Sequence, residues 1–315
     1  MAGLPQHFGG IVPPVCTPMT ESFEVDVPSL RRLIEFLIEA GVHGLFFLGS
    51  TGEAAFLTNE QRATVLDVAT RTVAGRVPVV AGIIDMTTAR ALEHARAAEQ
   101  AGADGLVLTA PFYTRTSPPE IIDHFRLIRA AVDLPVLAYD IPVCVHTKLT
   151  RAMLVQMARE GLIVGVKDSS GDEANFRGLA MDAQMLPNFS LFTGSELLVD
   201  TAILMGASGA VPGLGNVDPE GYVRLYQAAR AGDWETARRE QERLYRLFSI
   251  IEAGVGRMGI GSSAMGAFKT ALMLRGVIAA NVVGRPQLRL DDNEVEQVRR
   301  ALTEAGLSLG ELYSA

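Results

Sequence analysis

The stretch Ile163-Val164-Gly165-Val166-Lys167-Asp168-Ser169-Ser170-Gly171-Asp172 joins a short β-branched run to a polar loop through a single lysine. Residues 163–167 read as a buried strand that delivers an amine to a site at its end. An amine held beside apolar groups loses hydration, which favours its neutral form. A neutral amine is a nucleophile and forms a Schiff base with a carbonyl substrate. Lysine is mostly a surface residue, so this reading stands or falls with what the rest of the chain brings to the same place.

Working outward, seven more short apolar segments recur, at 11–15, 44–48, 78–82, 105–109, 135–139, 190–193 and 209–212. Most are continuous apolar runs, as expected of parallel strands buried on both faces. Helical patterns separate them. Residues 27–40 carry Leu30, Leu33, Ile34, Leu37 and Ile38 on one face, with Gly41 as the C′ residue. Thr58 and Gln61 form a capping-box pair. Segments 87–101, 118–131, 150–159 and 172–184 follow the same logic. Strand and helix alternating eight times over about 220 residues predicts an α/β protein, a (β/α)8 (TIM) barrel. An open doubly wound sheet gives similar local signals, and the regular eightfold count favours the barrel. After about Gly232 the strands stop. Segments 233–253, 262–276 and 291–305 read as helices, so residues 1–232 are expected to form the barrel and 233–315 a C-terminal helical addition.

The bulk numbers narrow the function. The 315 residues are 48% hydrophobic and 20% charged, ample for a large core. The formal net charge of −8, without a basic cluster, argues against a nucleic-acid partner. No apolar stretch is long enough for a membrane span and the start lacks the pattern of a secretory leader, so a cytoplasmic location is expected. Cys16 and Cys144 form neither a disulfide framework nor a metal pattern, and free buried thiols are the default for both. The five histidines lack short metal-ligand spacings, so no metal is expected.

In such a barrel the chemistry sits at the C-terminal ends of the strands. The second strand ends in Gly49-Ser50-Thr51-Gly52-Glu53, where two glycines allow a sharp turn whose amides, with the Ser50 and Thr51 hydroxyls, can hold a carboxylate or phosphate. A purely structural turn would look the same. The fifth strand ends in Tyr139-Asp140-Ile141-Pro142. Tyr139 can relay protons beside an amine, and Asp140 reads as a hydrogen-bond acceptor in the loop. Lys167 ends the neighbouring sixth strand. An amine, a phenol and an anion cradle together suggest a site for an α-keto acid.

These motifs, with Pro111-Phe112-Tyr113 and Gly165-Val166-Lys167-Asp168 in order and at matching spacing, make the chain resemble the dihydrodipicolinate synthase / N-acetylneuraminate lyase family of pyruvate-dependent class I aldolases. The resemblance runs from Gly9-Gly10-Ile11-Val12 into the helical tail. It implies Lys167 as the Schiff-base lysine, Tyr139 as the proton shuttle, and Ser50 and Thr51 as the pair holding the pyruvate carboxylate. It implies no separate cofactor, since the substrate is held covalently. It also implies that Tyr113 reaches a neighbouring subunit's site in a homotetramer built as a dimer of dimers. Two departures bear on substrate. Synthase members place an arginine where this chain has Cys144, and a thiol cannot make arginine's charge-assisted pair with a second carboxylate; Arg115 is the substitute to consider. His146 stands where a glycine is usual. Lyase members carry an aspartate-containing stretch where this chain has Thr193-Gly194-Ser195-Glu196. Ser169, Ser170, Ser195 and Glu196 can bind the hydroxyls of a sugar-acid chain, or cap helices instead. The expected reaction is aldol cleavage or condensation of a 2-keto-3-deoxy sugar acid, or pyruvate plus an aldehyde. The synthase reaction with aspartate semialdehyde, dehydration through the same intermediate, and a non-catalytic keto-acid-binding barrel are the alternatives.

Overall fold

The computed structural model describes residues 3–310. Eight parallel strands form one curled sheet: β1 (Gly10–Ile11), β2 (Leu45–Phe47), β3 (Val79–Gly82), β4 (Gly105–Thr109), β5 (Val136–Asp140), β6 (Gly165–Asp168), β7 (Ser190–Thr193) and β8 (Gly209–Ala210). Sequential strands pair from β2 to β8, and β1 pairs with β8. The remaining edges meet where Val15 N donates to Phe46 O at 2.8 Å and Phe46 N donates to Pro13 O at 3.0 Å. The barrel expected from the sequence is therefore present. Strand β1 is shorter than the expected 11–15 because Pro13 and Pro14 offer no N–H to a ladder. Strand β8 stops at Ala210 instead of residue 212. Strands β5 and β6 each run one residue further than expected, through Asp140 and Asp168.

Helices α1 (Val27–Glu39), α2 (Asn59–Val73), α3 (Thr88–Ala101), α4 (Pro118–Ala131), the single turn α5 (Pro142–Val145), α6 (Arg151–Arg159), α7 (Glu173–Ala183), α8 (Val199–Leu204) and α9 (Pro219–Arg230) lie between and after the strands. Their starts follow from local chemistry. Asp26 accepts from Ser29 N ahead of α1, whose buried stripe is Leu30, Leu33, Ile34 and Leu37. The Thr58/Gln61 capping box opens α2.

The C-terminal addition is α10 (Trp234–Phe248), α11 (Ile260–Leu274) and α12 (Asp292–Glu304), with a 3-10 turn at Ser249–Glu252. Its expected last residues, 311–315, lie outside the described residues. Residues 267–272 of α11 are buried without a break, the pattern of a helix enclosed on all sides. The addition also completes the barrel's hydrogen bonding. Leu198 precedes α8 with no capping side chain, and Gln241 of α10 supplies one by accepting from Val199 N at 2.7 Å. A chain ending at Gly232 loses this cap and the cover over the barrel. Urea unfolding followed by circular dichroism should show no cooperative native transition for it; a transition like that of the full chain would show that the barrel stands alone.

Candidate active site

The mouth is built around the register of β5 on β6, which sets Tyr139 beside Lys167 and Asp140 beside Asp168. Lys167 is 7% exposed and Tyr139 is 2% exposed, so both are held within the protein at the strand ends. Lys167 Nζ donates to the Tyr139 hydroxyl at 3.1 Å. It also lies 4.2 Å from the Tyr139 ring centroid and 5.3 Å from that of Phe46. Among the described residues no carboxylate forms an ion pair with it.

Phe46, in the middle of β2 and 1% exposed, forms one wall of the site. Its ring meets Tyr139 edge-on, with centroids 6.3 Å apart. A Cβ at Gly49 would come within 2.7 Å of the same ring. The missing side chain thus lets the 49–53 turn sit directly on the wall that Lys167 faces. Within the turn, Glu53 N donates to Ser50 O at 3.0 Å and Ala54 N to Gly49 O at 3.2 Å. Ser50 is exposed and Thr51 half-buried. Neither hydroxyl is used in a hydrogen bond among the described residues.

Gly194 is the other close approach. A Cβ there would lie 1.9 Å from Ser169 Oγ and 3.1 Å from Lys167 Cε. The lysine stem and the Ser169 hydroxyl therefore share the space that Gly194 leaves open. Ser170 partly serves its own loop: its hydroxyl accepts from Asp172 N at 3.3 Å, ahead of the N-cap of α7. Ser195 N donates to Thr193 Oγ1 at 3.0 Å.

Glu196 Oε1 accepts from Leu214 N at 2.6 Å, and Gly213 is small enough to let the carboxylate approach. Its backbone carbonyl accepts from Tyr222 Oη at 3.2 Å and Gln241 Nε2 at 3.0 Å. Burial pushes its pKa up to about 7, against the Leu214 hydrogen bond and the field of Lys167.

Asp140 is the acceptor that was expected, but it ends the strand and is completely buried. Leu149 N donates to it at 3.0 Å and Lys148 pairs with it. Burial raises its pKa, with the nearby charge of Asp168 acting the same way and Lys148 and the Leu149 hydrogen bond opposing. Lys148 Nζ is also 3.8 Å from Asp168 Oδ2, so one cation serves both carboxylates flanking the pair. Nothing in the sequence pointed to Lys148, because its role depends on the loop after α5 folding back. That loop turns at His146, which takes the left-handed conformation at φ 55 where a glycine is easier.

One expectation needs correction. Cys16 is buried, but Cys144 is exposed on the short helix α5, against the default of two buried thiols. The field of Lys167 reaches its thiol, whose pKa is raised chiefly by partial burial. Tyr113 does not join the cluster around Lys167. It is 90% exposed and held at φ 76, an unusual conformation for a bulky residue. Arg115 is likewise exposed on the loop after β4.

Residues 7–305 match the profile of the dihydrodipicolinate synthetase family. The chain is 34% identical over 306 residues to an uncharacterised DapA-like lyase of Halobacterium salinarum, covering 97% of each. It is 35% identical over 248 residues to a 4-hydroxy-tetrahydrodipicolinate synthase of Phenylobacterium zucineum, covering 78% of this chain and 83% of that one. Among solved structures, YagE, a prophage protein of the dihydrodipicolinic acid synthase family from E. coli K12 in complex with pyruvate, superposes with a TM-score of 0.90. The identity is 31%, covering 96% of this chain and 99% of the other.

The raised pKa of Glu196 has a sign that can be tested. Above its ordinary value of 4.5 the unfolded chain has released a proton that the folded protein keeps. The contribution of this group to stability is full below that value and declines as pH rises to about 7. Glu196→Gln should flatten that decline in urea-unfolding free energies measured across the range. An unchanged pH profile would mean that Glu196 titrates normally.

Proposed function

The chain belongs to the dihydrodipicolinate synthetase family of lyases, and from that premise we propose that it is a Schiff-base aldolase that cleaves or forms a 2-keto-3-deoxy sugar acid, with pyruvate as the keto-acid product or substrate. The observation that carries this reading is the buried amine of Lys167, 3.1 Å from the Tyr139 hydroxyl and, among the described residues, without a paired carboxylate. The pyruvate in the similar YagE structure supports the keto-acid half.

In the cleavage direction, the Lys167 amine attacks the C2 carbonyl and water leaves, giving a protonated imine. The imine accepts the electron pair of the C3–C4 bond as that bond breaks. Tyr139 gives its phenol proton to the departing water and, as the phenolate, takes the proton from the C4 hydroxyl, directly or through the substrate carboxylate, as the aldehyde departs; the same proton then serves C3 of the enamine. Protonation of the resulting enamine at C3 and hydrolysis release pyruvate and free Lys167. The amides of the 49–53 turn, with Ser50 and Thr51, hold the carboxylate. Ser169, Ser170, Ser195 and Glu196, around Gly194, meet the hydroxyls of the aldehyde portion. Lys148 offsets the charge of Asp140 and Asp168, keeping the strand ends together beneath the site.

The aldehyde half favours an uncharged polyol over an acid. Cys144 occupies the position of the synthase arginine, and a thiol cannot make the charge-assisted pair with a second carboxylate that a guanidinium makes. The synthase reaction is the second reading, supported by the names of relatives such as the Phenylobacterium protein. Tyr113, exposed and conformationally unusual, fits a role in a neighbouring copy's site within a homotetramer. No helix among the described residues is long and apolar enough to cross a membrane, and a cytoplasmic location remains part of this proposal.

Borohydride trapping with pyruvate, followed by peptide mass spectrometry, should place a reduced pyruvyl adduct on Lys167. A folded protein that forms none would overturn the mechanism. Lys167→Ala should abolish turnover, and Tyr139→Phe should slow it by about 10²–10⁴-fold. Across a panel of aldehydes with pyruvate, hydroxylated neutral aldehydes should outperform aspartate semialdehyde, and Cys144→Arg should improve use of the semialdehyde about tenfold or more. Saturation of the unaltered protein at low semialdehyde concentration would favour the synthase reading instead.

A further inference from the structure

The 49–53 turn is bracketed by two non-glycine residues in the left-handed region, Leu48 at φ 58 and Glu53 at φ 57. Such conformations persist where the surroundings hold them. Thr17 Oγ1 donates to Gly52 O at 2.7 Å from the barrel side. The stronger hold comes from the C-terminal addition. Glu53 Oε1 accepts from Gly284 N at 2.7 Å. Its other oxygen pairs with the ammonium of Lys269, in the middle of α11, and both side chains are 0% exposed. Lys269 Nζ also donates to Val282 O at 2.8 Å. Glycine is needed at 284 for this approach, since a Cβ there would lie 2.8 Å from Phe56 Cβ and 3.4 Å from Glu53 Oε1.

A buried ion pair is a poor source of stability, because desolvation offsets its attraction. Its directed, charge-assisted bonds nevertheless select one geometry where an apolar contact would allow sliding. Here the selected geometry is that of the turn that Gly49 seats against the Phe46 ring, beside which Lys167 lies. We propose that Glu53 and Lys269 are positioning residues for recognition of the keto-acid carboxylate, so that α11 completes the substrate-binding turn from more than two hundred residues away. This inference rests on the reading of the 49–53 turn as the carboxylate cradle.

The pair touches the turn and not the reacting carbon, so its loss should be felt through the carboxylate alone. Pyruvate and methyl pyruvate separate the two effects, because the ester keeps the ketone and lacks the anion. Imine trapping with cyanoborohydride would be titrated with each compound for the unaltered protein, Lys269→Met and Glu53→Gln, with folding checked by circular dichroism. The unaltered protein should trap pyruvate at much lower concentration than the ester. Lys269→Met should weaken pyruvate trapping tenfold or more and leave the ester nearly unchanged; Glu53→Gln should act in the same direction, less strongly. Equal weakening of both compounds, or no change in a folded variant, overturns the proposal. If Lys269→Met does not fold, Glu53→Gln decides by the same criterion. An unaltered protein that traps neither compound, or both alike, overturns the reading of the site itself and this inference with it.

Discussion

Everything at the mouth of this barrel depends on the parallel register of β5 against β6. One residue of slip would turn Lys167 to the opposite face of the sheet and remove it from Tyr139. The register is held by the ladder from Leu137 on Gly165 through Asp140 on Asp168. It is reinforced beyond the strand ends, where Ser169 N donates to Asp140 O at 2.8 Å; Gly194 N, donating to Asp168 O at 2.7 Å, carries the ladder on from β6 to β7. Lys148 adds the electrostatic part by serving Asp140 and Asp168 together. Two buried carboxylates side by side would otherwise repel across the same pair of strands.

With that register in place, the site divides into an apolar wall and a polar rim. The rings of Phe46 and Tyr139 surround the amine and leave the phenol oxygen as its hydrogen-bond partner. Beside that wall stand the Ser169 hydroxyl, which with the Lys167 stem takes the space Gly194 leaves open, and the 49–53 turn, which Gly49 lets approach Phe46. Small residues are a geometric requirement here. Gly49 and Gly194 each occupy a place where one more carbon would strike Phe46 or the lysine stem and Ser169.

The helical addition takes part in this construction from outside. Gln241 of α10 both caps α8 and holds the carbonyl of Glu196, while Lys269 of α11 meets the acid at the end of the 49–53 turn. Two loops of the mouth are thus tied to helices that follow the barrel in sequence. Near residue 232 the pattern of secondary structure changes, while hydrogen bonds and an ion pair cross from the later helices to the barrel loops.

The sequence by itself determined the barrel, because continuous β-branched runs spaced by capped amphipathic helices have few other ways to bury their surfaces. It also put Lys167, Tyr139 and the 49–53 turn at strand ends, where this fold gathers its chemistry, and the structure sets the first two 3.1 Å apart. What it could not determine were contacts between residues distant along the chain. Phe46 looked like any core aromatic until the fold laid its ring against Tyr139 and Gly49. Lys148 had no pattern to mark it, and Glu53 had no visible partner until α11 brought Lys269 to it. The exposure of Cys144 likewise follows from α5 burying only Val145 among its four residues. Periodicity records which face of an element is buried; only the tertiary structure decides which side chain from elsewhere it is buried against.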